Sequence, residues 1–213
     1  MKNIKLVCFD VDGTLVNGTS WLILSEGLGW SSKEVLNIFN QARKGEISFI
    51  EAERIFTTTY QKSGRANKPS IEEIFNNVEI KEEAKDLISY LKEKGYTIYL
   101  ISGAIDMYIE SVARKLGIDG FYANSTLGFD NKGVLKKIHY RNNQGEVKVE
   151  QLKALLRKLG INIDQVAFVG DSENDIEVFK VTKHGIAVHS SSEELKRVSW
   201  RVIDSLLEIK NIL

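Results

Sequence analysis

The apolar run Leu6-Val7-Cys8-Phe9 ends directly on Asp10-Val11-Asp12-Gly13-Thr14, with no polar residue between. Such a run indicates a strand buried on both faces, and in open α/β sheets ligands gather beyond the carboxyl ends of these strands. Side chains alternate along an extended segment, so Asp10 and Asp12 face one site. Two carboxylates held that close need a cation or a shared proton. Gly13 lets the backbone turn sharply, and Thr14 adds a hydroxyl donor. A hairpin turn is a plainer account of Asp-Gly, but no alternating strand follows Gly13. A calcium loop opening at Asp10 would need Glu at its twelfth position, which is Trp21.

Two more apolar strands end on polar residues. Thr97-Ile98-Tyr99-Leu100-Ile101 runs into Ser102-Gly103, whose hydroxyl and backbone N–H groups, placed at the start of a helix, would seat a phosphate. A cap and a turn are the ordinary uses of the same pair. Val166-Ala167-Phe168-Val169 runs into Gly170-Asp171-Ser172-Glu173-Asn174-Asp175, where Asp171 would serve equally as a helix N-cap and Asp175 as a partner of the helix dipole. Lys148 is placed at the opening of the helix before that strand, the wrong end for a lysine serving only the macrodipole. Brought together, Asp10, Asp12, Asp171 and Asp175 put up to four negative charges in one pocket. Mg²⁺ suits that set, since it takes oxygen ligands, keeps several waters and bridges carboxylates to a substrate phosphate. At about 4 Å and an effective dielectric near 20, each unit-charge pair is worth roughly 4 kcal/mol, so losing either Mg²⁺ or Lys148 is expected to disable anion binding.

These segments need elements to hold them. From Lys81 onward the pattern alternates: a helix to Lys94, a strand Thr97 to Ile101, a helix Ile105 to Leu116, a short strand Phe121 to Ala123, a turn at Asn131-Lys132-Gly133, a helix Lys148 to Leu159, then strands Val166 to Val169, Ile186 to Val188 and Arg201 to Ile203. Repeated strand and helix units predict an α/β fold with a parallel sheet covered on both faces. Between Thr14 and the only proline, Pro69, the apolar spacing is helical, which predicts a small helical insert.

Composition narrows the function classes. Twenty-nine basic and twenty-nine acidic residues cancel, so no global field attracts nucleic acid or an anionic membrane. The single cysteine, Cys8, lies in the first apolar run, which predicts a buried, inert thiol and excludes a disulfide framework. Asp10 and Asp12 interrupt the first apolar run before a signal-peptide core is complete, and no run reaches membrane-spanning length, so a cytoplasmic protein is expected. Without a secretory signal, Asn17-Gly18-Thr19 and Asn124-Ser125-Thr126 are chance matches to the glycosylation pattern. His139, His184 and His189 lack metal-ligand spacing. Lys136-Lys137 and Arg141 are expected on a solvated strand edge that resists pairing.

In order along the chain, Asp10-Val11-Asp12-Gly13-Thr14, Ser102, Lys148 and Gly170-Asp171 with Asp175 resemble the four motifs of the haloacid dehalogenase superfamily of phosphohydrolases, and within it the phosphoserine phosphatase branch. The resemblance implies a Rossmann-like three-layer core over residues 1–14 and 79–213, with a helical cap over 15–78 that covers the pocket and selects a small phosphorylated metabolite. It implies Asp10 as nucleophile and Asp12 as the acid that protonates the leaving oxygen and then activates water. Thr14, Ser102, Gly103 and Lys148 would meet phosphate oxygens. Asp10, the backbone carbonyl of Asp12 and Asp171 would hold Mg²⁺, while Asp175 supports its waters.

The chain departs from that branch at two positions. Thr19 stands where a Glu meets the substrate's amino group, and Phe56 where an Arg meets its carboxylate. Arg54 or Arg65 would supply that charge if the alignment shifts by a residue or two. Desolvated charges on a zwitterion would go unpaired here, so phosphoserine is not the expected substrate. Phosphoserine phosphatase proper, a phosphotransferase or mutase, a receiver-like signalling switch and a silent phosphate-binding relative are the rival readings.

Overall fold

The computed structural model describes residues 3–213. The chain enters through β1 (Leu6–Phe9) and then forms four helices, α1 (Ser20–Gly27), α2 (Ser32–Arg43), α3 (Phe49–Lys62) and α4 (Lys68–Asn76). It continues through α5 (Glu82–Glu93), β2 (Thr97–Ile105), α6 (Asp106–Leu116), β3 (Gly120–Phe129), β4 (Leu135–Tyr140) and α7 (Gln144–Leu159). β5 (Val166–Gly170), α8 (Ile176–Thr182), β6 (Gly185–Val188), α9 (Glu193–Val198) and β7 (Arg201–Ile203) complete the sheet.

The strands lie in the order β4-β3-β2-β1-β5-β6-β7, and every neighbouring pair is parallel except β3 with β4. β1 is central, paired with β2 and β5, so its end and theirs open at one edge of the sheet. Alternation then divides the core. Val7, Phe9, Leu100, Ala167 and Val169 face α5, α6 and the four-helix insert, whereas Leu6, Cys8, Ile101, Val166 and Phe168 face α7, α8 and α9. That is the two-sided cover that the apolar runs predicted.

Three elements differ from the sequence expectation. β2 runs on to Ile105, so Ser102 and Gly103 lie in the strand rather than at the start of a helix. β3 extends to Phe129 and pairs with β4, a hairpin that a period-two reading shortens because its outer residues are mixed in polarity. α7 opens at Gln144, which places Lys148 in its second turn. On the β4 edge the insert supplies partners: Leu135 N–H donates to Ala66 O at 2.9 Å and Lys68 N–H to Gly133 O at 2.8 Å. Arg141 pairs with Glu150, and Lys136 with Asp130. Among the described residues no helix is long and apolar enough to cross a membrane.

Candidate active site

Asp10 directly follows β1, and its N–H donates to Val169 O at 2.9 Å, which extends the β1/β5 seam by one step. Its Oδ1 lies 3.1 Å from Nζ of Lys148. Lys148 is wholly buried and also donates to Asp175 Oδ1 at 2.6 Å and Asn174 Oδ1 at 2.9 Å. Burial alone would lower the ammonium's pKa, but Asp10 and Asp175 raise it above that of an ordinary lysine, so the group is a fixed positive charge.

The loop after β5 is held by the same network. Oδ2 of Asp175 accepts from the N–H groups of Asp171 and Ser172 at 3.1 and 3.3 Å. Asp171 accepts from the Thr14 hydroxyl at 3.0 Å. Burial, and then the charge of Asp10, push its carboxyl up to about 6, against the pull of Thr14, Lys148 and Lys81. One carboxylate oxygen from each of Asp10, Asp171 and Asp175 lies within 4.8 Å of the others. Gly13, at φ +75°, brings its backbone so close that an added Cβ would stand 2.3 Å from Oδ2 of Asp171. Hard oxygen donors around a recess floored by glycine fit a hard divalent cation.

Asp12 is fastened to the insert. Its oxygens accept from the N–H of Ser20 at 3.0 Å and from the Ser20 hydroxyl at 3.2 Å, and that hydroxyl accepts in turn from the N–H of Ile105 at 3.3 Å. The Tyr108 phenol stands beside it. Desolvation, and then Asp10, push the Asp12 carboxyl up to about 7. The two neighbouring carboxylates therefore differ: Asp10 is paired with a buried ammonium, while Asp12 holds a proton near neutrality.

Both open on a cleft of about 1020 Å³ together with Asp171, Ser102 and Gly103. Ser102 Oγ accepts from Ala104 N–H at 3.2 Å, within the strand rather than at a helix terminus. Thr14 is off the cleft wall, with its hydroxyl turned to Asp171. Lys148 is likewise behind the wall, its ammonium already surrounded by three oxygens. Thr19 lines the cleft and caps α1 through its hydroxyl. Phe56 does not line it: the ring is 1% exposed and packs among Trp21, Trp30, Phe39 and Tyr60. Neither Arg54 nor Arg65 reaches the cleft wall.

The profile of the haloacid dehalogenase-like hydrolase family matches residues 4–181. The chain belongs to this family. The hydrolase is 30% identical over 215 residues to a phosphoserine phosphatase of Methanocaldococcus jannaschii, covering 100% of this chain and 97% of that one. It is 31% identical over 192 residues to a phosphoserine phosphatase of Streptococcus thermophilus, covering 88% and 85%. Among solved structures it resembles a substrate-bound phosphoserine phosphatase complex (TM-score 0.76, 26% identity, 100% of each chain) and a phospho-aspartyl intermediate analogue of phosphoserine phosphatase (TM-score 0.75, 26% identity, 100% of each chain).

Three site residues of the hydrolase escape sequence reasoning. Ser20 carries only the signal of a polar residue before an apolar helix. Lys81 donates from Nζ to Gly13 O at 2.6 Å and from its N–H to Leu15 O at 3.1 Å, with nothing in the local sequence to mark it. Arg43, in the last turn of α2, lines the cleft although its position suggests only a dipole partner.

Proposed function

We propose that this hydrolase cleaves phosphomonoesters of small metabolites through a phosphoryl group carried on Asp10, with Mg²⁺ as cofactor. The observation that carries the reading is the meeting of Asp10, Asp12, Asp171 and Ser102 on one cleft, with Asp10 held 3.1 Å from the buried Lys148 ammonium. The Asp10 carboxylate attacks phosphorus, and the ester oxygen leaves as an alcohol with the proton of Asp12. Asp12, now ionised, takes a proton from water as that water attacks the phosphorus of the acyl phosphate, releasing phosphate and restoring the Asp10 carboxylate. The Ser102 hydroxyl and the Gly103 N–H are the donors facing the phosphoryl oxygens, and Lys148 offsets charge on the Asp10 side.

Asp10, Asp171 and the Asp12 carbonyl are the groups that would hold Mg²⁺, with Asp175 fixing the backbone of Asp171. When bound, the ion supplies Lewis-acid stabilisation of charge on the transferring group. In this reading residues 15–78 are the cap and residues 1–14 and 79–213 the catalytic core; Ser20 joins them by tying the first cap helix to Asp12. The relatives named phosphoserine phosphatase support the reaction class. The insert offers no carboxylate to the cleft to meet an ammonium, which separates this hydrolase's substrate from phosphoserine. Hydrolysis of p-nitrophenyl phosphate tests the reading: release with Mg²⁺ and its loss with EDTA are expected, and a chelator-insensitive rate would count against it.

A further inference from the structure

Three of the insert helices, α1, α2 and α3, line the cleft, and what they bring to it is specific. Apolar walls come from Trp21, Leu36, Phe39 and Phe49. Among the described residues Arg43 is the only lysine or arginine on the cleft wall, and no residue of the insert brings a carboxylate to it. No ion pair or hydrogen bond among the described residues engages the Arg43 guanidinium, although its neighbour Lys44 is paired with Glu46. Tyr140 also lines the cleft, its hydroxyl accepting from Gln144 Nε2 at 2.6 Å and its ring stacked on Phe49 with centroids 5.8 Å apart. Burial raises the Tyr140 phenol, against the opposing pull of the Gln144 hydrogen bond and the Arg43 charge. A planar fork of donors beside aromatic faces is suited to a carboxylate or phosphate carried on an apolar body.

Building on the phosphomonoesterase reading, we infer that Arg43 is a specificity-determining residue and that the preferred substrates carry a second anionic group on an apolar or aromatic leaving group without an ammonium. The phosphoryl end sits at Asp10; the distal anion accepts from Arg43, which is exposed and whose guanidinium donates to no group among the described residues. The cleft is at the upper end of the volumes of small-molecule sites, so it has room for such a body.

Two nearly isosteric esters test this: 4-carboxyphenyl phosphate and 4-carbamoylphenyl phosphate, which differ in distal charge. With Mg²⁺, the unaltered hydrolase is expected to favour the carboxylate ester by about tenfold in kcat/KM, the ordinary worth of one charge-assisted contact at a partly exposed site. That preference is expected to shrink with added salt. Arg43→Met should lower the carboxylate ester by about tenfold more than the carbamoyl ester, and Arg43→Lys should retain part of the preference. Equal rates on the two esters before mutation, or an equal loss on both in a folded Arg43→Met variant, would overturn the role of Arg43 while leaving the phosphatase reading standing. Failure to cleave either ester with Mg²⁺ would overturn both.

Discussion

Lys148 shows how much a single buried charge does here. It is 0% exposed and bridges Asp10 and Asp175, so removing it leaves two nearly buried carboxylates without that counter-charge. Breaking a buried pair from one side costs about 3–5 kcal/mol, and Lys148→Met is expected to lower Tm by roughly 10 °C and to abolish turnover, as calorimetry and an activity assay would show. Much of this residue scale is legible in the sequence: acids that end apolar strands, a glycine between them and a lysine out of place on its helix. What is not legible is which way a side chain turns. The hydroxyl of Thr14 turns to Asp171 and the ammonium of Lys148 to Asp10, Asp175 and Asn174, partners that no local pattern specifies. Phe56 belongs to the aromatic packing of the insert because helical spacing gives its face but not what that face meets.

At the scale of elements, the first turn of α1 joins the insert to Asp12, the proposed acid. Ser20 is its first residue, and its N–H and hydroxyl both serve Asp12. Ser20→Ala keeps the N–H and removes the hydroxyl, and kcat is expected to fall about tenfold with little change in KM, because the contact orients the acid rather than the substrate. Steady-state kinetics on p-nitrophenyl phosphate would check this. A fall in affinity at constant kcat would place Ser20 on the substrate side instead. The alternation of strands and helices was readable because buried parallel strands have an unbroken apolar signature. The extension of β2 to Ile105 was not, since Ser102 and Gly103 are poor strand residues kept extended only by their neighbours.

Across the whole molecule, polar contacts tie segments that are distant in sequence, and Glu83 makes several of them. Its carboxylate accepts from the Ser205 hydroxyl at 2.7 Å and the Leu206 N–H at 3.0 Å, and lies 3.2 Å from Nε2 of His189. Desolvation raises its pKa, but the hydrogen bonds from Ser205, His189 and Leu206 more than reverse this, so its pKa is below the ordinary value. A carboxyl depressed in the folded state adds stability that is present above the unfolded value, about 4.3, and is lost as pH falls through the folded one. Glu83→Gln is therefore expected to lower Tm at pH 7 by a few degrees and to converge with the parent in acid; a deficit independent of pH would contradict this. No sequence pattern links residue 83 with residue 205, since the contact exists only once the sheet has brought both ends to one edge.

In the proposed reaction Asp10 carries the phosphoryl group and Asp12 is needed to remove it. Asp12→Asn, mixed with p-nitrophenyl phosphate and Mg²⁺, isolates the first half of the reaction, because nitrophenolate leaves without a proton. A burst of about one nitrophenolate per site followed by near-silence is expected, with the phosphoryl group found on Asp10 by mass spectrometry after acid quench. Continuous turnover at the parent rate, or a phosphoryl group on another residue, would contradict it.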